Sequence, residues 1–320
     1  MRLTDAQLRQ FQDDGFLIVR DFFARGQLQP VIEWINGLVD ELAERLYAAG
    51  KIRDKHAGDG FYWRLTKLEE EFPGAAVLIH IHGVLGQPLA DLWGSRELLA
   101  VIEQILGPEI TGHPVWNLRS KTPLNPLVTV PWHQDTAYLA PGAEQTLQPT
   151  AWIPLIDADS VNGTLQVLRS GHRSGQVFRH RLERTRGHEN SWYLCIADED
   201  LPSGELVTCE VPIGSLLLIN QLIPHRSTEN YSDKIRWSVD LRWQRPNEPS
   251  GFEDVKECIL MRTARDPDYR IDWTTWALKN RIADAMDNKP VDPFDTTVTG
   301  PWLRRWASSG DLGPGPAPHS

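Results

Sequence analysis

Apolar positions fall into two regimes along this chain, helical near the N-terminus and alternating beyond it. Val31, Ile35, Leu38, Leu42 and Leu46 repeat at helical spacing from Leu28, which predicts a long amphipathic helix that Gly50 ends. Thr4 with Gln7 is a capping-box pattern opening a helix over 5–13, stopped by Gly15 and followed by a short buried strand at 16–19. Another helix is expected from Ser95, a suitable N-cap, through Leu98, Leu99, Ile102 and Ile105 to Leu106, with Gly107-Pro108 as its terminator.

From about residue 109 the pattern changes to short β-type runs broken by Pro, Gly and Asn. They cover 115–120, 129–133, 150–156, 164–168, 192–196, 206–211, 215–220 and 235–244. In the last run Ile235, Trp237, Val239, Leu241 and Trp243 alternate with Arg236, Ser238, Asp240, Arg242 and Gln244. The apolar set should pack outward onto helices and the polar set should line a barrel, which places Arg236 inside. Short strands after a helical preamble predict a mainly β fold with α elements. That fold is a double-stranded β-helix (a cupin-like jelly roll) flanked by N-terminal and C-terminal helices. One domain over 1–309 is expected, with a helical part at 1–108, a jelly-roll core at about 109–246 and a helical extension at 247–309. That extension includes a helix at 272–286 with Trp276, Leu278 and Ile282 on its packing side, and the Gly/Pro/Ser-rich 310–320 reads as a disordered tail.

Composition narrows the function classes. Against 33 Lys and Arg stand 43 Asp and Glu, a net charge of −10, with no dense basic stripe to replace phosphate counterions, so nucleic acid is not an expected partner. The three cysteines are an odd number and widely spaced, which suggests a reducing compartment and no disulfide framework. The first residues lack the apolar region of a signal peptide, and no apolar run approaches the ~20 residues of a membrane span. A soluble cytoplasmic protein without membrane partners is therefore expected, its oligomeric state unread. The 13 tryptophans mostly supply core, with enough left over for an aromatic pocket.

His133-Gln134-Asp135, followed about ninety residues later by His225, carries the chemistry. Two histidines and a carboxylate can hold one face of an octahedral metal and leave the other open. On a strand, residues i and i+2 share a face, which would aim His133 and Asp135 together. An H-x-D alone also fits a hydrogen-bonded network without metal. Ser227 lies two residues after His225 and Arg236 lies eleven after it, on the run expected to point inward. A guanidinium fork beside a hydroxyl suits the distal end of a dicarboxylate.

The chain here resembles the phytanoyl-CoA dioxygenase-like Fe(II)/2-oxoglutarate oxygenases. The likeness runs from Leu3-Thr4 through Asp14-Gly15-Phe16-Leu17-Ile18-Val19, Val130-Pro131-Trp132-His133-Gln134-Asp135 and Ala151-Trp152-Ile153-Pro154-Leu155. It continues over Asn162-Gly163-Thr164-Leu165-Gln166-Val167 and from His225 to Arg236. The resemblance implies that His133, Asp135 and His225 bind Fe(II). It implies that Arg236 grips 2-oxoglutarate with help from Ser227, that Trp152 lies near that co-substrate, and that O2 is consumed with it. Lys121 and Asn117 would line the same site from the preceding strand. Gln134, Tyr138, Arg64 and His56 are the substrate-side candidates, the last two in a region where relatives build a lid and cations could meet an acidic small molecule. The expected activity is oxidation, foremost hydroxylation, of a metabolite C–H bond with release of succinate and CO2.

Two departures bear on this. Arg169-Ser170-Gly171-His172 stands where the family often has Pro-Gly-Ser-His, and Asp135 is kept where related halogenases have a small residue. The His80-Ile81-His82 pair has strand-like metal spacing but no carboxylate partner, and packing or a place on the substrate side is the expected role. His113, His180 and His188 carry no motif. A cupin-like metalloenzyme without 2-oxoglutarate would need neither Arg236 nor Ser227. A non-catalytic binding protein on this scaffold would be expected to lack a ligand of the triad, and none is lacking.

Overall fold

The computed structural model describes residues 2–24, 26–82, 84–183, 192–252, 256–266, 268–274, 276, 292–298 and 300–307. Helix α1 (Asp5–Asp14) opens with the reciprocal Thr4–Gln7 capping box and closes on Gly15 at φ 82°. Strand β1 (Phe16–Val19) follows, then α2 (Gln29–Ala48), whose buried Val31, Ile35, Val39, Leu42 and Leu46 form one stripe. Three short helices come next, α3 (Arg64–Glu71), α4 (Ala75–His82) and α5 (Gln87–Trp93), and then α6 (Arg96–Leu106). The β region holds β2 (Ile110–Gly112), β3 (Asn117–Lys121), β4 (Thr150–Pro154), β5 (Leu165–Leu168), β6 (Arg181–Leu182) and β7 (Leu194–Cys195). It continues through β8 (Leu206–Cys209), β9 (Leu216–Ile219), β10 (His225–Ser227), β11 (Arg236–Gln244) and β12 (Ile259–Arg262), and α7 (Pro301–Ala307) comes last.

The larger antiparallel sheet runs β1-β9-β4-β11-β2-β12, with β3 also paired to β11; the smaller runs β10-β5-β8. This two-sheet arrangement is the expected jelly roll. Strand β11 organises it. Its Trp237 and Trp243 are fully buried and pack with Ile235, Val239 and Leu241 into the helical core of α2, α5 and α6. On its opposite face Arg236, Asp240 and Arg242 look into the space between the sheets. Trp237 also stacks on Phe61 at 5.4 Å and donates from Nε1 to Phe61 O at 3.0 Å, so a Trp237→Ala change would cost about 3–5 kcal/mol.

Several expectations need correction. The run 129–133 is not a strand. Pro126 and Pro131 remove backbone donors, and the chain instead makes a 3-10 turn at Pro126–Val128 and one isolated bridge, His133 to His225. The His80/His82 spacing lies on helix α4, so strand geometry does not apply to it. The larger sheet reaches outside 109–246, since β1 pairs β9 and β12 pairs β2. Within 247–309 the described elements are strand β12 and helix α7. Most of the expected helix at 272–286, including Leu278 and Ile282, and the tail at 310–320 lie outside the described residues. Trp276 is described and packs edge-on against Trp93 at 5.5 Å. No helix among the described residues is long and apolar enough to cross a membrane.

Candidate metal centre

His133, Asp135 and His225 come together between the two sheets, all three buried, with their ligand atoms within 4.8 Å of one another. The means differs from the sequence expectation. His133 and His225 are fixed by exchanging both backbone hydrogen bonds, at 3.0 and 2.9 Å, while Asp135 begins a 3-10 turn, Asp135–Tyr138. Asp135 Oδ1 lies 3.7 Å from His133 Nε2 and 3.9 Å from His225 Nε2. One ion with bonds of about 2.1 Å can bridge donors that far apart.

The protonation pattern also suits a metal. His133 Nδ1 donates to Pro131 O at 2.8 Å and His225 Nδ1 donates to Ile223 O at 3.0 Å, which turns both Nε2 lone pairs inward. Burial pushes His225 down to about 4, so its ring is neutral near pH 7. Burial alone would raise the Asp135 pKa, but Arg242 and the two imidazoles overcome it and hold the carboxyl well below its usual range. Arg242 Nη2 donates to Asp135 Oδ1 at 2.7 Å, and Arg242 Nε donates to Thr150 Oγ1 at 3.0 Å. Two imidazole nitrogens and one ionised carboxylate are a mixed donor set that suits a divalent transition metal.

The segment between the ligands is pinned from three sides. Gln134 Nε2 donates to Gln176 O and Leu222 O, and its Oε1 accepts from Phe178 N, so this side chain holds the loop and does not face a substrate. His180 Nε2 accepts the Gln134 backbone N–H at 3.0 Å, and burial drives that imidazole down to about 3. From α7, Arg305 donates to Thr136 O and Leu139 O, and Trp306 donates to Ala137 O. Neither His180 nor α7 had a sequence signal. His180 is a lone histidine, and α7 follows residues whose spacing links it to nothing.

Two cavities meet at the triad. One, of about 490 Å³, is lined by Trp152, Leu165, Ile219, Ser227, Arg236 and Asp240 with the three ligands. At one end Arg236 sits over the Trp152 ring at 5.1 Å. Its Nε and Nη2 donate to Gly163 O and its Nη1 to Ser238 Oγ, leaving one hydrogen on each Nη among its five donors. Burial lowers its pKa to about 10, still protonated at neutral pH. Ser227 Oγ accepts from Lys121 Nζ at 2.9 Å, and that ammonium also donates to Thr129 Oγ1 at 2.8 Å. Among the described residues Ser227 makes no hydrogen bond to Arg236; it lines the same cavity and is bonded to Lys121.

The second cavity, of about 590 Å³, shares Arg119, Val130, His133, Asp135 and Arg242 with the first. Tyr138, His80, Trp192, Tyr193, Phe252 and Trp302 supply its rings. Asn117 lines it and donates to Asp240 Oδ2 at 3.0 Å, so it faces this cavity and not the one holding Arg236. The lid candidates lie elsewhere. His56 is paired with Glu71 at 2.8 Å and Asp59 at 3.3 Å, and Arg64 with Asp40 and Lys55 O, and neither lines a cavity at the triad. His113 is a buried brace between Ser250 O and Val115 N, His172 docks onto α1 through Gln12 O, and His188 lies outside the described residues.

Residues 11–238 match the family described as phytanoyl-CoA dioxygenase (PhyH). No curated protein matches the chain. Among solved structures, "non-heme monooxygenase; ThoJ apo" is similar with a TM-score of 0.54 at 19% identity, covering 94% of each chain. That likeness shows a shared fold. The alpha ketoglutarate dependent epimerase SnoN from nogalamycin biosynthesis gives 0.49 at 16% identity, over 84% of this chain and 91% of that one.

Proposed function

The chain belongs to the phytanoyl-CoA dioxygenase family, and on that premise we propose that it is a non-haem Fe(II)- and 2-oxoglutarate-dependent dioxygenase hydroxylating a C–H bond of a small-molecule metabolite. The observation that carries the reading is a metal-binding triad at which two cavities meet, one of them ending at Arg236, a buried guanidinium with one hydrogen left on each Nη. When bound, the iron would couple oxidative decarboxylation of 2-oxoglutarate, giving succinate and CO2, to oxidation of the substrate by O2.

The chain's own residues would do the rest. His133, Asp135 and His225 would hold the iron, the two histidines through Nε2, since each Nδ1–H is turned to a backbone carbonyl. Arg236 would take the distal carboxylate of 2-oxoglutarate on its two remaining Nη hydrogens, above the Trp152 ring. Ser227 adds a hydroxyl to that compartment's wall, and Lys121 donates to that hydroxyl. The ring-lined cavity would take the substrate and keep water from the metal. Asp135 is kept where related halogenases have a small residue, which favours oxygen insertion or desaturation over chlorination. The test is succinate release screened across a metabolite library, with product mass giving the reaction. A gain of one oxygen coupled to succinate is expected; succinate independent of every compound, or products without oxygen gain, would refute hydroxylation.

A further inference from the structure

Arg119 is the group in the ring-lined cavity that the proposed reaction leaves unused. It projects from β3 with 24% of its side chain exposed, while the Asp240 carboxylate beside it is 9% exposed. Its Nε donates to Asp240 Oδ2 at 3.0 Å, and this is the one hydrogen bond it makes among the described residues. Both Nη atoms are left for whatever enters the cavity. Asp240 lines the other cavity and not this one. Asp135 is the carboxylate that faces this space, and it is already shared between Arg242 and the imidazoles.

The wall around Arg119 is apolar and built from rings. Trp192 lies stacked with His80 at 6.1 Å and an interplanar angle of 17°, and Trp192 meets Tyr193 at 4.7 Å. Tyr138 stands edge-on to His133 at 5.7 Å and 6.3 Å from Trp302. Such a wall favours a ligand with rings of its own. A neutral ligand would strip water from the guanidinium edge and return only neutral hydrogen bonds. A carboxylate would return two charge-assisted ones in fork geometry.

We propose that the substrate is an apolar, ring-bearing carboxylic acid whose carboxylate docks on the Nη edge of Arg119, its ring system lying between Trp192 and Tyr138. This rests on the reading that the ring-lined cavity is the substrate's. A substrate so held has its acid group at Arg119 and its rings against the aromatic wall.

The test is isothermal titration calorimetry on the full chain with Mn(II), with and without saturating 2-oxoglutarate, using 2-naphthoate and 2-naphthamide as matched probes. The acid should bind roughly tenfold or more tighter than the amide, the equivalent of one charge-assisted hydrogen bond. That preference should survive saturation with 2-oxoglutarate. In Arg119→Gln it should vanish, with amide affinity within about twofold of wild type; Arg119→Lys should restore part of it. Equal affinity for acid and amide in the wild type overturns the proposal without any variant. Failure of both probes to bind overturns it as well. Loss of the acid on saturation with 2-oxoglutarate would assign Arg119 to the co-substrate. Failure of 2-oxoglutarate itself to bind would strike the co-substrate reading, and the acid–amide ratio would still decide this one.

Discussion

Replacing Arg242 by Met should expose how much of the metal centre is held together by charge before any metal arrives. Arg242 and Asp135 are 7% and 8% exposed and 2.7 Å apart, so the substitution strands a buried carboxylate. Breaking such a pair costs roughly 3–5 kcal/mol. The lower end applies here, about 3 kcal/mol, because Thr150 Oγ1 and the two imidazoles stay beside Asp135. Urea unfolding of metal-free protein measures it directly. A bound divalent cation should then neutralise the stranded carboxylate. Saturating Mn(II) should therefore stabilise Arg242→Met more than wild type, closing roughly half of the gap or more. Metal-free stability within about 1 kcal/mol of wild type would refute the argument. So would a gap that Mn(II) leaves unchanged.

Other consequences follow from the same geometry. His133→Ala or Asp135→Ala should abolish 2-oxoglutarate turnover; full succinate production by either would contradict their assignment as ligands. Arg236→Ala should raise the 2-oxoglutarate requirement about 10- to 100-fold with metal affinity kept, since it removes a charge-assisted carboxylate grip; an unchanged requirement would exclude that role. Gly163→Ala should unsettle the same end of the cavity. At φ 88° its Cβ would meet Lys121 Cε at 2.5 Å and Thr228 O at 2.9 Å, so lower stability and weaker 2-oxoglutarate binding are expected together. The metal-free protein should lose stability as pH falls from about 6.5 toward 4, because unfolded imidazoles accept protons that buried His180 and His225 refuse, their folded values being about 3 and about 4. Stability that is flat across that window would contradict their burial as neutral rings.

The elements legible from sequence were those with a strong local signal. The capping box at Thr4 and the stripe of α2 are short-range facts, and both recur in the fold. The alternation along β11 told which residues face the barrel, since a period of two assigns every side chain at once. Helix α4 escaped notice because Ala75 to His82 is apolar nearly all round, as buried helices are, and shows no stripe. The triad was readable because its spacing is a motif. Its support was not: Arg242 pairs with a residue more than a hundred positions away, and α7 reaches back from Arg305 to Thr136. The pairing of Arg64 and His56 away from the two cavities was illegible for the converse reason. A cation in sequence gives no sign that Asp40 or Glu71 will fold against it. Arg119, which together with Arg242 faces the ring-lined cavity, sat unremarked on the strand between Asn117 and Lys121.

The most direct test of the account is the visible spectrum of the protein with Fe(II) and 2-oxoglutarate under anaerobic conditions. A weak charge-transfer band should develop only when both are present. It should be absent in His225→Ala and should require more 2-oxoglutarate in Arg236→Ala. No band in wild-type protein that demonstrably binds Fe(II), or an undiminished band in His225→Ala, would contradict the central claim that these residues form an iron site for 2-oxoglutarate.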